Sequence, residues 1–322
     1  MTVFQLIRRA AAAIALAVPL LSPAQDSGTT EWVVGYAAGG GSDALARTLA
    51  EQMGKTMGRT IIVNNKPGGA TNIAADYVAK SKAQDRMLFT ADFATLAANP
   101  WLFSRLPFDP DRDFKSVGLL GRFPLVLVVG PQVPATGYRE FLAWAKARKT
   151  PVSFASSGIG SPQHLAGELF RERTGLNLQH VPYRGGALAV QDLIGGQVDM
   201  ALMDSATVVP HLQGGRLRAL GVASMHRVQV LPGMPTLAEQ GLADFEAFAW
   251  QGLVVPAGAS ADQVAALNTA LQKALASEPV KARLQALAIE PMPGTPAQMN
   301  AYVKAERARW GAVIKAANVQ LD

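Results

Sequence analysis

The 322-residue sequence contains no cysteine, only four histidines, and 17% charged residues. Without cysteine there is no disulfide, no thiolate metal site, no cysteine nucleophile and no lipidated cysteine to tether the chain to a membrane. The fold must then rest on packing. The histidines, His164, His180, His211 and His226, form no H-E-x-x-H motif, and no G-x-S-x-G elbow occurs, so two common hydrolase signatures are missing. No group of His, Asp or Glu has metal-ligand spacing, and Asp111 and Asp113 fall in a Pro-rich turn. No metal, no cofactor and no enzymatic activity are expected. Dense basic runs interleaved with aromatics are also missing, which argues against a nucleic-acid surface.

One apolar run is present at the start. Arg8 and Arg9 precede an apolar stretch at 10–21, followed by Ser22-Pro23-Ala24, the plan of a signal peptide cleaved after Ala24. The stretch is shorter than a membrane span and contains Pro19. Beyond residue 24 the chain has 28 basic and 24 acidic residues, a mild positive balance suited to anionic solutes. An exported, cysteine-free, unanchored and monomeric periplasmic protein is expected.

The rest alternates short β-branched runs with amphipathic segments, separated by Gly or Pro, the pattern of an α/β fold with mainly parallel sheets flanked by helices. The expected strands include 32–36, 61–63, 87–90, 152–155, 179–181, 198–203, 217–222 and 251–255, with helices at 72–82, 138–147, 162–173, 261–276 and 296–316. Residues 117–120 and 125–129 read as two strands split by a bend at Gly121-Arg122-Phe123-Pro124, where the chain would cross between lobes. The expected organisation is a first lobe at 25–122, a second at 123–222, and a return to the first at 223–322. In the last helix Glu306 interrupts an apolar stripe, and an edge position or an Arg partner would explain it.

Three Gly-rich loops each follow a strand and open a helix: Ala37-Ala38-Gly39-Gly40-Gly41-Ser42, Ser156-Ser157-Gly158-Ile159-Gly160-Ser161 and Tyr183-Arg184-Gly185-Gly186. Unpaired N–H groups and the positive end of the helix dipole make such loops candidate grips for a carboxylate. Residues 39–44 also satisfy G-x-G-x-x-A, but the second strand ends in Asn64-Asn65, where a ribose-binding acid belongs, so a dinucleotide site is not supported. His164, beside the second loop, either lines a cleft or packs. Asp204, at a strand end, either caps the next helix or faces the cleft.

Taken together, Ala38-Gly39-Gly40 with Asp43, Asn65-Lys66-Pro67-Gly68, Asn99-Pro100, Leu106-Pro107-Phe108-Asp109 with Asp113-Phe114, Gly160-Ser161 with His164-Leu165-Ala166-Gly167-Glu168, Val181-Pro182-Tyr183-Arg184-Gly185, Gly195-Gly196-Gln197-Val198-Asp199, Arg218-Ala219-Leu220 and Pro235-Thr236 carry a resemblance. The chain resembles the Bug or TctC receptors of tripartite tricarboxylate transporters. That resemblance implies a two-lobed type II periplasmic binding fold closing on a small carboxylate. It implies ligand contacts at Ala38, Gly39, Gly40, Gly41 and Ser42, at Ser156, Gly160, Ser161 and His164, and at Tyr183, Arg184 and Gly185, largely through backbone amides and water. Its partners would be transporter membrane subunits or a sensor protein.

Two departures from the family pattern stand out. Tyr36-Ala37 replaces Phe-Pro before the first glycine run, and Ala91-Asp92-Phe93-Ala94-Thr95 replaces small polar residues after the third strand. Asp92 and Phe93 are therefore expected to face the ligand and to shift selectivity away from citrate-like polyanions, unless Asp92 simply caps the next helix.

Overall fold

The computed structural model describes residues 28–83 and 85–321, so the expected signal peptide lies outside the described residues. Strand β1 (Thr30–Val34) carries Trp32, Val33 and Val34, all fully buried, as a strand covered on both faces requires. Helix α1 (Gly41–Met57) buries Leu45, Ala46, Leu49, Ala50 and Met53 at helical spacing and ends at Gly58, whose φ of 63° is the left-handed cap a glycine tolerates best. Strand β2 (Ile61–Asn65), helix α2 (Asn72–Ala79) and strand β3 (Met87–Asp92) follow. Strands β2 and β3 lie parallel to β1 on either side of it. A short π turn (Ala94–Ala98) and helix α3 (Asn99–Leu102) lead to β4 (Phe114–Val129).

A second βα series repeats this plan with α4 (Tyr138–Ala147), β5 (Val152–Ser156), α5 (Pro162–Thr174), β6 (Leu178–Pro182), α6 (Gly186–Ile194), β7 (Met200–Asp204), α7 (Ser205–Gln213) and β8 (Arg218–Val222). Here β6 and β7 run parallel to β5. The chain then returns through β9 (Phe248–Pro256), α8 (Ala261–Ala276), α9 (Glu278–Ala286), β10 (Glu290–Pro291) and α10 (Pro296–Ala317). The parallel blocks are joined by antiparallel crossover strands, in the order β2-β1-β3-β9-β4-β7-β5-β6.

The region expected as two strands is one 16-residue strand, β4. Its register shifts twice against β9, between Ser116 and Gly118 and between Leu119 and Gly121, so bulges absorb the bend that the sequence suggested as a break. A Cβ on Gly121 would lie 3.0 Å from the Glu290 carbonyl, which accounts for glycine there. Residues up to Pro124 pair with β9, while Leu125 to Val129 pair with β7 and β8. Pro124, which has no ladder N–H to offer, sits where the strand exchanges partners. Helix α2 also stops three residues short of its expected end, at Ala79.

Beneath α10, β3 and β9 bring three aromatic rings together. Phe93 packs edge-on to Trp250 and Trp310, with centroids 6.2 and 5.3 Å apart, and is fully buried. This corrects the expectation that its ring faces the ligand. Along the alternating strand Phe89 and Ala91 join the same cluster, and the run continues through Phe93 into the core while Asp92 points the other way. Glu306 is buried as well. It accepts hydrogen bonds from the indole N–H of Trp250 at 2.9 Å and of Trp310 at 3.0 Å, with Arg309 at 3.4 Å. The break in the apolar stripe is thus an acceptor for two tryptophans.

Candidate functional site

The first glycine loop ends at the N-terminus of α1, where Gly40 is the N-cap without a side-chain bond. Gly39, with φ of 85°, donates its N–H to Asp43 Oδ2 at 2.9 Å, and Arg47 Nε binds the same oxygen at 2.9 Å. Burial alone would raise the Asp43 pKa, but the bonds from Arg47 and Gly39 lower it overall. The N–H groups of Gly41 and Ser42 precede the first possible intrahelical acceptor and remain available for a ligand. A Cβ placed on Gly41 would come within 3.7 Å of the Ala206 Cβ at the start of α7, so this loop lies against the opposite lobe.

Asp204 ends β7 and caps α7. Its Oδ1 accepts from Thr207 N at 3.0 Å and Thr207 Oγ1 at 2.7 Å, and its Oδ2 accepts from Gln163 Nε2 at 3.2 Å. Asp92 ends β3 in the same manner: its Oδ1 accepts from Thr95 N and Thr95 Oγ1, both at 3.0 Å, and its Oδ2 accepts from the Tyr36 hydroxyl. In each acid one oxygen bonds the threonine three residues on, as the capping reading has it, and the other accepts from a side chain of a different element. Burial raises both carboxyls above their ordinary range. The Tyr36 phenol is pushed well up by burial, then by the negative charge of Asp92 and, more weakly, of Asp204. Geometry places both acids beside the α1 loop: Asp92 lies opposite Gln251, whose side-chain N–H reaches Ser42, and Gly41 approaches Ala206, two residues past Asp204.

The second loop is largely self-satisfied. Ser161 caps α5 by accepting from His164 N at 3.2 Å, Gly160 N–H donates to His164 Nδ1 at 3.0 Å, and Gly158 N–H donates to Ser156 Oγ at 3.1 Å. His164 is buried and stacks on His180 at 3.8 Å. Its side chain therefore orders the loop, as the packing alternative has it. His180 Nε2 lies 2.7 Å from Ser156 Oγ, the spacing of a nucleophile and its base, yet Ser156 is fully buried and its hydroxyl already engages Gly158. In the third loop the Tyr183 hydroxyl donates to Asp192 at 2.8 Å, Gly185 takes φ of 121°, and Arg184 is exposed.

The model of the tripartite tricarboxylate transporter family receptor matches residues 45–319. The chain belongs to that receptor family. A protein encoded in the tcbD-tcbE intergenic region of Pseudomonas sp. (strain P51) is 35% identical over 314 residues, covering 95% of this chain and 93% of that protein. BugT of Bordetella pertussis is 32% identical, covering 95% and 94%. Among solved structures, R. palustris Rpa4515 with adipate superposes with a TM-score of 0.85 at 32% identity, covering 91% of this chain and 98% of that one. MatC from Rhodopseudomonas palustris with bound malate gives 0.79 at 32%, covering 89% and 99%. The two-lobed solute-receptor fold is thus shared along the described length. Among the described residues, no helix is long and apolar enough to cross a membrane, and no group of three or more His, Asp or Glu could hold a metal ion.

Three residues bonded to Asp92, Asp204 or the α1 loop escaped the sequence reading. Tyr36 was noticed as a departure without a role. Gln163 and Gln251, 6% and 5% exposed, gave no signal, because a glutamine in a helix start or a strand looks like any other polar position. Gln251 stands opposite Asp92 in the β3–β9 register, and its side-chain N–H reaches the Ser42 hydroxyl.

Replacing Ser161 by Ala removes the α5 cap and is expected to cost about 1 kcal/mol of stability, measured by urea unfolding, whereas Ser161→Asp costs only a fraction of that.

Proposed function

We propose that the mature chain is a monomeric periplasmic receptor that closes its two lobes on a small carboxylate-bearing solute and presents the closed form to transporter membrane subunits, without making or breaking bonds. The observation that carries this reading is the approach of the Gly39–Ser42 loop to the start of α7. A carboxylate held on the Gly41 and Ser42 amides would touch both lobes at once, and contacts made only in the closed form shift the equilibrium towards it. The dicarboxylates bound by the solved relatives support a ligand of this class. The residues assigned to it here are Ala38 to Ser42, Asp92 and Asp204, with Gly160 and Ser161 shaping the opposite wall, while Tyr183 and Gly185 frame its rim and Arg184 adds positive charge there. Binding without turnover fits the enclosure of the Ser156 and His180 pair.

Thermal melting against C3–C6 mono-, di- and amino-carboxylates tests the reading: a binder gains stability as ligand rises past its Kd, about 2.7 kcal/mol at 100 times Kd. Stabilisation by no member of that panel would defeat it. A second test uses closure itself. Ala206→Phe places a large ring where α7 meets the Gly41 loop and should weaken binding about tenfold for each 1.4 kcal/mol added to the closed state, with little change in unliganded melting. Unchanged affinity would remove the closure step.

A further inference from the structure

We propose that the centre of the cleft is a cation subsite, built by Asp92, Asp204, Tyr36, Gln163 and Gln251, which takes an ammonium group carried by the same solute whose carboxylate rests on the α1 loop. The inference rests on the receptor reading above and names the chemistry of the ligand's second end.

The two lobes supply matching halves. Asp92-Phe93-Ala94-Thr95 follows β3 and Asp204-Ser205-Ala206-Thr207 follows β7, and in each the acid bonds the threonine three residues on through N–H and hydroxyl. In each the second carboxylate oxygen turns to the cleft, to Tyr36 in one case and Gln163 in the other. Every donor on these two carboxylates is neutral: Thr95, Tyr36, Thr207 and Gln163. The buried Asp92 and the half-buried Asp204 thus have no lysine, arginine or histidine among the described residues bonded to either, an arrangement that burial penalises unless a cation arrives.

Unpaired acceptors point to the same ligand. Gln163 must direct its NH₂ to Asp204, because a carboxylate cannot donate, and its buried Oε1 has no donor. Gln251 gives its NH₂ to Ser42, and its buried Oε1 likewise has none. Buried acceptors left without donors cost stability, and a ligand with several N–H groups would satisfy them. An ammonium has three donors and the charge that Asp92 and Asp204 lack beside them. A second ligand carboxylate would instead meet two acids and two carbonyl oxygens.

The experiment is titration calorimetry on the mature protein with three matched series: C4–C6 dicarboxylates, ω-amino carboxylates of the same chain length, and α-amino acids. At least one amine-bearing series is expected to bind tenfold or more tighter than the dicarboxylates. In Asp92→Asn, which keeps an oxygen for the Thr95 cap, amine affinity should fall at least tenfold while dicarboxylate affinity holds or rises. If Asp92→Asn does not fold, Asp204→Asn is read in the same way, since asparagine also caps. Binding of dicarboxylates alone, or an equal loss for both classes in the variant, overturns the cation subsite and leaves the receptor reading intact. Binding of neither class overturns both.

Discussion

Glu306→Leu is expected to lower stability by about 2–6 kcal/mol, because it strands two buried indole N–H groups, each costing about 1–3 kcal/mol when left unpaired. Trp250 lies on β9 and Trp310 on α10, and both are fully buried around Phe93. A single carboxylate oxygen, Oε2, therefore fastens the crossover strand to the terminal helix. Leucine matches the volume and improves the apolar stripe of α10, so a purely hydrophobic account of this core predicts a gain. Glutamine separates the two accounts. Its carbonyl has two lone pairs and can accept from both indoles, so Glu306→Gln should cost only about 1–2 kcal/mol, the difference between a charged and a neutral acceptor. Denaturant midpoints at constant m-value check the order wild type, Gln, Leu. A leucine variant as stable as wild type would mean that the indoles find other acceptors.

This core also marks where the sequence stopped being legible. Periodicity located most strands and the long helices, since burial of Leu45, Leu49 and Met53, or of Trp310 and Ile314, follows directly from helical spacing. The glycine loops were legible for the same reason that they work, as a left-handed turn at Gly39 or Gly160 needs glycine. Phe93 was not, because the expected strand stops at residue 90, whereas the observed one runs on to Asp92 and carries the alternation of Phe89 and Ala91 through to Phe93. Neither was the continuity of β4: a Gly and a Pro three residues apart read locally as a break, and only the register with β9 and the change of partners reveal one strand. Asp92 and Asp204 were found as ambiguous acids. Seeing why both acids stand there required finding that one oxygen bonds the threonine three residues on while the other accepts from Tyr36 or Gln163. Gln163 and Gln251 become functional candidates only when a buried oxygen is found without a donor, a property of three-dimensional packing that no motif records.

Acidification from pH 6.5 to 4.5 is expected to remove roughly 3–5 kcal/mol of stability through the stacked histidines of the second loop. Burial, with smaller contributions from His180 and Arg171, pulls His164 down to about 3, and burial pulls His180 down to about 4. In the folded protein His164 stays neutral across this window and His180 begins to protonate only at its acid end, whereas in the unfolded chain each protonates near its ordinary pKa of about 6.5. The unfolded state therefore binds more protons, and stability falls as pH falls, by up to about 1.4 kcal/mol per pH unit for each histidine. Burial raises Asp92 and Asp204, which works in the opposite sense by making the folded state take up protons more readily. The histidine share is isolated by comparing slopes. His180→Phe keeps an aromatic ring on Phe154 and His164, and its stability should fall less steeply between pH 6.5 and 4.5 than that of wild type, by up to one histidine's worth. The first structural casualty in wild type should be the turn before α5, because opening it lets His164 protonate at its ordinary pKa, and a protonated Nδ1 cannot take the Gly160 N–H back. Faster amide exchange at Gly160 than in the α5 interior at pH 4.5 would display that loss, and parallel stability curves for wild type and His180→Phe would show instead that His180 titrates normally in the folded state.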